Sequence, residues 1–357
     1  MRKVVYLVAA IAILMVSCKE SYKKTTDGME YKIISDGKGA KLALGNYFEI
    51  SYKQTYKGKS KDTVLGVSTE NGNQLAVLDS TQIPPAYFKI FSQVRKGDSI
   101  IIRQLTDSIM KTQSEGLPPF FRKGDMVVAG YKVVNIYTTR EQADSANKVI
   151  QEFAKANNYK KTIVKIEQDL VKNAAQLKTD DAIIQSYLTA NNITATKTAW
   201  GTYVAITTPG TGNNLDKNSY AVVNYTGKTL KDTVFDSNVD KAFNHVEPYN
   251  VPMNEFNVIP GWIDGLQKMN KGCKGKLIIP SSLAYGPQGR EPKIGSNEIL
   301  VFDIEVVDVL TKQQYDDKIT AERNMMIQKQ MEMQAKQQKD HPAAPQEQTA
   351  PPAATGK

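Results

Sequence analysis

The sequence repeats itself, and the repeat constrains the fold more than any other feature. Residues Gly28 to Gly39 read GMEYKIISDGKG, and Gly201 to Gly212 read GTYVAITTPGTG, so the glycines coincide at an offset of 173. At the same offset Tyr47 meets Tyr220 and Tyr52 meets Tyr225. Three extra residues in the first copy then bring Lys61-Asp62-Thr63-Val64 against Lys231-Asp232-Thr233-Val234. Further on, Pro85-Ala86-Tyr87 meets Pro260-Gly261-Trp262, and Lys96-Gly97 meets Lys271-Gly272. The copies end together, at Tyr131 to Val134 and at Glu305 to Asp308. Ordered coincidence over roughly 110 residues implies two domains of one fold.

Each copy reads mostly as strands. Tyr47 to Tyr52 and Tyr220 to Tyr225 carry β-branched and aromatic residues between Gly, Asn and Lys turns. Ile299 to Leu310 is a long β-branched run of the kind that fills a buried strand. Trp262 to Met269 spaces Ile263, Leu266 and Met269 as one short helix. Several antiparallel strands with few helices predict an α+β class.

Between the copies the pattern turns helical. Thr138-Thr139-Arg140-Glu141 has capping-box spacing. Ala146, Val149, Ile150, Phe153 and Ala156 form a stripe, and Ile163, Ile166, Leu170 and Leu177 predict a second helix. Asp180 or Asp181 is positioned to cap a third, with Ile183, Ile184, Tyr187 and Leu188 on one face and Asn191-Asn192 at its end. This apolar content is expected to pack on a domain or on a second subunit, which leaves a homodimer open. After Leu310, Thr311 and Gln314 again have capping spacing, ahead of a Met-rich helix that is either solvated or a client-binding surface. Prolines among Ala and Gln from His341 onward predict a disordered tail.

Composition excludes several functions. The chain has 357 residues, 41% hydrophobic and 23% charged, which rules out wholesale disorder and a multi-span membrane protein. The net charge of +9 is scattered with no dense basic stripe, so no nucleic-acid partner is expected. Two histidines and two distant cysteines leave nothing for a zinc site, and no cofactor or metal is expected. At the start, Arg2 and Lys3 precede a short apolar run, Val4 to Val16, too short to span a bilayer. Met15-Val16-Ser17-Cys18 resembles a bacterial lipobox. The resemblance implies cleavage before Cys18 and acylation of that residue, with the bilayer as a partner. Cys273 is then the only unmodified thiol, so no intramolecular disulfide forms. A lipid-anchored protein of a Gram-negative cell envelope, at the outer membrane facing the periplasm, is the expectation.

The second copy carries a longer set of residues. In order they are Asn224-Tyr225-Thr226-Gly227, Phe235-Asp236-Ser237, Val258-Ile259-Pro260-Gly261-Trp262, Gly265-Leu266, Met269, Gly272, Lys276-Leu277, Pro280, Leu283-Ala284-Tyr285-Gly286 and Leu300 to Glu305. This set resembles the FKBP-type peptidyl-prolyl cis-trans isomerase domain over residues of about 200 to 311. The resemblance implies a curved antiparallel sheet around one short helix, with a proline pocket between them. It implies Trp262 as pocket floor, with Tyr225, Phe235, Val258, Ile259 and Phe302 as walls. Tyr249 stands where the family usually has Phe. The Ile259 N–H and the Tyr285 hydroxyl would bond substrate carbonyls, Asp236 would lie at the edge near Tyr225, and Ile294 would overhang the site. The overhanging loop carries Arg290 and Glu291 and is more charged than is common.

The first copy departs from this pattern. Tyr52 matches Tyr225, but Leu65 replaces Phe235, Gly66 replaces Asp236, Pro84 stands opposite Ile259, and Tyr87 replaces Trp262. Met110 falls opposite Tyr285 and Ala129 opposite Phe302. Proline has no N–H to offer, so an FKBP-like but inactive first domain is expected. The resulting plan is a signal peptide at 1–17, a lipidated tether at 18–27, a degenerate FKBP-like domain at 28–138 and a helical linker at 139–194. An isomerase domain at 195–312, a helix at 313–340 and a disordered tail at 341–357 complete it. The expected function is isomerisation of X-Pro bonds in unfolded or exported clients. A non-catalytic chaperone or scaffold built from the same domains is the alternative.

Overall fold

The computed structural model describes residues 21–113 and 115–340. The expected signal peptide, Cys18 as the expected acylation site and the expected tail from 341 lie outside the described residues. The chain forms two compact units, one up to Asn158 and one from Tyr159.

The first unit contains β1 (Lys23–Lys24), β2 (Glu30–Ile34), β3 (Tyr47–Lys57), β4 (Asp62–Val67), α1 (Ser68–Asn71), β5 (Gln74–Val77), α2 (Pro85–Phe91), β6 (Ser99–Leu105), α3 (Thr106–Thr112) and β7 (Met126–Tyr137). Its antiparallel sheet runs β1-β2-β6-β7-β3-β4, with β5 also on β3. Ile90 and Phe91 of α2 join Phe48, Ile100, Ile102 and Val133 of the sheet in one core. The stretch read as a tether partly belongs to this sheet, because Lys23 and Lys24 pair with Tyr31 and Glu30. Thr25 is buried, and the Arg103 guanidinium lies 3.9 Å from the Tyr22 ring centre.

A helix, α4 (Arg140–Lys172), starts in the first unit and ends in the second, and α5 (Ala174–Ala190) follows it. The first predicted helix and most of the second, Ile163 to Leu170, are thus one continuous α4, since no Gly or Pro interrupts residues 140–172, while Leu177 falls in α5. Its capping residue is Thr139, whose hydroxyl accepts from the Gln142 N–H, while Gln142 reaches back to the Thr138 N–H. The box sits one residue later than the spacing of Thr138 and Glu141 predicts. Val149 and Phe153 remain exposed, so that stripe is not buried within the chain. Asp180 and Asp181 are not caps. They lie inside α5, whose N-terminal residue is six positions earlier than Asp180.

The second unit continues with β8 (Thr196–Lys197), β9 (Tyr203–Thr208), β10 (Tyr220–Thr229), β11 (Val234–Ser237), β12 (Tyr249–Pro252), α6 (Pro260–Leu266), β13 (Lys274–Ile279), β14 (Leu300–Leu310) and α7 (Lys312–Asp340). Its sheet runs β8-β9-β13-β14-β10-β11, with β12 also on β10, which is the strand order of the first sheet. The registers agree as well. Tyr52 pairs with Tyr131 on β7, and Tyr225 pairs with Ile304 on β14. Irregularities between Glu49 and Ile50 and between Gln54 and Thr55 recur between Val222 and Val223 and between Gly227 and Lys228. Such bulges bend a strand and increase its twist, so both sheets curve at matching points.

Alternation explains why the apolar residues of β13 and β14 are buried on both faces. Leu277, Ile279, Leu300, Phe302 and Ile304 enter the core under α6. Ile278 and Val301 enter a second core on the opposite face with Ile184 and Leu188 of α5. Asp180 of α5 is 1% exposed and accepts bonds from the Ser281 N–H at 2.8 Å and hydroxyl at 2.7 Å. At the other end Thr311 and Gln314 form the expected capping box, and Tyr315 stacks on Tyr220 at 4.5 Å. Beyond it Met325, Met326 and Met331 are exposed. No helix among the described residues is long and apolar enough to cross a membrane.

Two outcomes follow from the buried carboxylates. Asp180→Ala leaves the Ser281 N–H buried without its partner, and should destabilise the second unit by about 1–3 kcal/mol in chemical denaturation. Asp264 on α6 accepts from the Thr202 N–H and the Thr198 hydroxyl. Burial, opposed by those bonds, pushes its carboxyl above the usual range. A folded-state pKa raised above the unfolded value stabilises the fold at acid pH, and that contribution is lost as pH rises through the raised value. The stability of wild type minus Asp264→Asn should therefore fall as pH rises from the ordinary aspartate range through the raised value. A difference that does not change with pH would contradict this assignment.

Candidate active site

The site begins with the backbone of α6. Pro260 is the first helical residue, and it forces Ile259 before it into an extended conformation, at φ −61° and ψ 145°. The Ile259 N–H has no acceptor among the described residues. Gly261 lets the helix approach the sheet, because a Cβ there would lie 2.3 Å from the Ile279 side chain. That approach sets the Trp262 indole against the sheet, where it is 4% exposed.

Around it the rings meet edge to face. Trp262 lies 5.1 Å from Tyr225 of β10 and 5.1 Å from Phe302 of β14, at interplanar angles of 81° and 85°. Phe235 of β11 lies 5.6 Å from Phe302 at 83°. Tyr249 of β12 contacts Tyr225 at 6.4 Å and is largely exposed. Edge-to-face rings gain about 0.5–1.5 kcal/mol per pair beyond their burial. Val258, Ile259 and Tyr285 pack on the core that contains these rings, and Ile294 is buried within that core. The structure thus brings all ten sequence-predicted residues together, with Asp236 and Tyr249 joined to the rest through Tyr225.

Asp236 is bonded on both oxygens. The Tyr225 hydroxyl donates to it at 2.8 Å, and the His245 Nε2 lies 2.9 Å away. Burial first, and then the bond to Asp236, push the Tyr225 phenol far above its usual range, so it remains a donor. The overhanging loop is closed by a bridge between Arg290 and Ile294, with N–H to O distances of 2.8 and 3.2 Å. From this loop the Arg290 Nη1 donates to the Tyr285 hydroxyl at 3.3 Å, and the Lys293 Nζ donates to the Phe235 carbonyl at 3.0 Å. A cavity of about 460 Å³ lies between the loop and the segment from Phe235 to His245. It shares Phe235, Asp236 and Ile294 with the ring cluster and adds Phe243, His245 and Lys293. Among the described residues no group of His, Cys, Asp or Glu is arranged to hold a metal.

Two contributors were absent from the predicted site. A Cβ on Gly227 would lie 2.6 Å from Phe302 and 2.7 Å from Phe235, so the two rings meet only because this residue has no side chain. Its signal was present, since Gly227 follows Asn224-Tyr225-Thr226. His245 carries no such signal, because nothing in its spacing from Asp236 marks a contact across a loop.

The first unit supplies an internal comparison. Its registers place Gly66 at the position of Asp236, Ala129 at that of Phe302 and Gln54 at that of Gly227. Leu65 takes the position of Phe235 at the bulge. Pro84 precedes α2 with φ −52° and ψ 141°, as Ile259 precedes α6, which puts Tyr87 in the place of Trp262. Counting along β6 places Met110 opposite Tyr285, on α3 where the second unit has a 3₁₀ turn at Ser281–Leu283. The Gln54 amide donates to the Tyr131 hydroxyl at 3.2 Å. Burial, with the Tyr131 hydroxyl close by, pushes the Tyr87 phenol up to about 12. Where the second unit has Phe302, Phe235 and Gly227, the first thus has Ala129, Leu65 and Gln54. A dry aromatic cluster in one unit is a hydroxyl and amide cluster in the other.

Residues 212–307 match the FKBP-type peptidyl-prolyl cis-trans isomerase family. The chain is 36% identical over 171 residues to the FKBP-type peptidyl-prolyl cis-trans isomerase FkpA of Aeromonas hydrophila, covering 46% of this chain and 57% of that protein. It is 44% identical over 88 residues to the FKBP-type 22 kDa peptidyl-prolyl cis-trans isomerase of Escherichia coli, covering 25% of this chain and 40% of that one. To the peptidyl-prolyl cis-trans isomerase Mip of Coxiella burnetii it is 35% identical over 130 residues, 36% of this chain and 54% of that protein. A crystal structure of a peptidyl-prolyl cis-trans isomerase from Pseudomonas syringae is 30% identical, with a TM-score of 0.31, over 38% of this chain and 95% of that one. The chain spans between 40% and 57% of the length of the three curated relatives named here. Over residues 212–307, within the second unit, the chain is thus of the FKBP-type peptidyl-prolyl cis-trans isomerase family by this match, with which its identity to these relatives agrees.

Proposed function

We propose that the second unit catalyses cis-trans isomerisation of X-Pro bonds in unfolded or exported proteins. The observation that carries this reading is the set of rings around Trp262, with an N–H at Ile259 that has no acceptor among the described residues.

Rotation about an X-Pro amide crosses a barrier of about 18–20 kcal/mol, which is the lost amide resonance. The twisted amide separates less charge than the planar one. A dry aromatic surface therefore favours it, and no proton transfer or covalent step is needed. Trp262 supports the proline ring while Tyr225, Phe235 and Phe302 hold its edges. The Ile259 N–H and the Tyr285 O–H donate to carbonyls of the client as the amide turns. A ten-thousandfold acceleration requires about 5–6 kcal/mol of stabilisation specific to the twisted state. Exclusion of water plus two hydrogen bonds formed best in that state is of this order.

The first unit, with its matching strand order and register, is an FKBP-like domain without activity, and serves client binding or spacing. The segment at 18–27 follows a signal peptide and is anchored through acylated Cys18. The protein then works in the cell envelope of a Gram-negative bacterium, at the outer membrane facing the periplasm. The exposed methionines of α7 give this reading a surface for clients outside the pocket.

Two substitutions test the catalytic part. Trp262→Leu should lower kcat/KM for a proline tetrapeptide by about tenfold or more, while suppression of client aggregation persists. If folding assistance is unchanged by it, the protein works as a non-catalytic chaperone. Ile259→Pro removes one N–H at a φ that proline adopts, at a position where the first unit already has Pro84. It should cost about tenfold in kcat/KM, with Ile259→Ala costing less. Equal losses from the two variants would assign the effect to the side chain rather than to the N–H.

A further inference from the structure

We propose that α5 is a working part of the candidate active site, with Asp180 as the positioning residue for Tyr285. This rests on the isomerase reading of the same site, in which the Tyr285 O–H donates to a client carbonyl. Asp180 lies ahead of residues 212–307, which carry the family match, in a segment whose pattern reads as a linker. Its carboxylate reaches the chain just after β13. One oxygen accepts the Ser281 N–H at 2.8 Å and the Ser281 hydroxyl at 2.7 Å. The other accepts from the Gln176 side-chain amide at 2.8 Å. Asp180 and Ser281 are both fully enclosed, so these bonds are shielded from solvent. The helix that carries Asp180 is itself fixed against the sheet. Ile184 and Leu188 pack with Ile278, Ile299 and Val301, and the Gln185 amide donates to the Tyr203 hydroxyl at 2.8 Å.

Ser281 opens the turn that presents Tyr285. Residues Ser281–Leu283 form a 3₁₀ turn, and the Ala284 N–H donates back to the Ser281 carbonyl at 2.9 Å. The chain leaves helical geometry at Ala284, at φ −119° and ψ −117°. Leu283 is buried in the core under α6, and Tyr285 packs on the same core. A donor displaced by about 1 Å loses most of its catalytic value, so the anchor of this turn sets what the Tyr285 hydroxyl can do. The first unit shows the same turn anchored differently. Counting along the paired strands places Thr106 at Ser281, as it places Met110 at Tyr285. The Thr106 N–H donates to the Asp125 carbonyl at 3.0 Å, and its hydroxyl donates to the Arg122 carbonyl at 2.5 Å. Both acceptors are backbone groups of its own unit. A turn at this place can thus be satisfied from within its domain, and there it carries Met110, which has no hydrogen to donate. Where the turn presents a donor, a buried carboxylate from α5 holds it instead.

The test measures the full chain on a proline tetrapeptide, together with the NMR ring signals of isotope-labelled tyrosine, assigned through Phe substitutions. Tyr285→Phe should lower kcat by about threefold to tenfold, the loss of one hydrogen bond. KM should change little, because that bond forms best as the amide turns. Asp180→Ala should give a loss of similar size, and Asp180→Asn, which keeps an oxygen for the Ser281 N–H, should recover most of it. In a Tyr285→Phe background, Asp180→Ala should cost nothing further. The Tyr285 ring signal should move in Asp180→Ala while that of Tyr225 stays. Ser281→Ala retains the N–H bond and should show the same pattern at smaller size, and it carries the test if Asp180→Ala does not fold. Losses that multiply in the double variant, or full kcat in a folded Asp180→Ala with an unmoved Tyr285 signal, overturn the positioning role and leave the isomerase reading standing. A wild-type chain that isomerises no peptide, but whose Tyr285 signal moves in Asp180→Ala, overturns the isomerase reading and keeps the hold of Asp180 on Tyr285.

Discussion

Everything distinctive about the second unit depends on two phenylalanine rings meeting over a residue with no side chain. Phe235 and Phe302 come from strands on either side of β10, and Gly227 lies between them. A Cβ at that point would stand within 2.7 Å of both rings. With the glycine in place the rings close edge to face, Phe302 presses on Trp262, and Trp262 presses on Tyr225. The glycine loses backbone entropy in a strand, a cost of about 0.5–1 kcal/mol. The edge-to-face contacts it permits contribute about 0.5–1.5 kcal/mol per pair, enough to offset that cost.

The first unit shows what happens when that constraint is released. It keeps the strand order, the register of its central pair and both irregularities. It has neither phenylalanine, and Gln54, at the register position of Gly227, donates to the Tyr131 hydroxyl. Pro84 removes the N–H at the start of the short helix without disturbing the backbone, since its φ and ψ differ from those of Ile259 by less than about 10°. The fold therefore does not depend on the pocket. The scaffold is held by the apolar core under each sheet, and the pocket is a separable set of choices made at its edge.

How much of this could be read from the residues follows the same division. The repeat, the sheet-forming runs and a short helix depend on local pattern, although the helix read at Trp262 to Met269 is Pro260–Leu266, and the ten residues assigned to the site come together in space. What escaped the sequence was mostly set by tertiary packing. Nothing local says that Asp180 belongs inside α5 with its carboxylate on Ser281, because an aspartate beside a stripe is equally a cap. The continuity of α4 also escaped, since the polar stretch at Asn157-Asn158 weakens the apolar stripe but contains no breaker. Lys23 and Lys24 read as tether because edge strands carry few apolar residues. His245 and Lys293 act through loop geometry, which no spacing rule reaches.

The central claim is that an X-Pro amide turns against Trp262 in the second unit. It is tested most directly by exchange NMR on a proline peptide at equilibrium, with a catalytic amount of the full chain and the two tryptophan indole N–H signals observed in the same sample. The account predicts cis-trans exchange accelerated far beyond its uncatalysed rate of once in tens to hundreds of seconds, with the Trp262 signal shifted and the Trp200 signal unmoved. Exchange at the uncatalysed rate, with the Trp262 signal unchanged at saturating peptide, would contradict it.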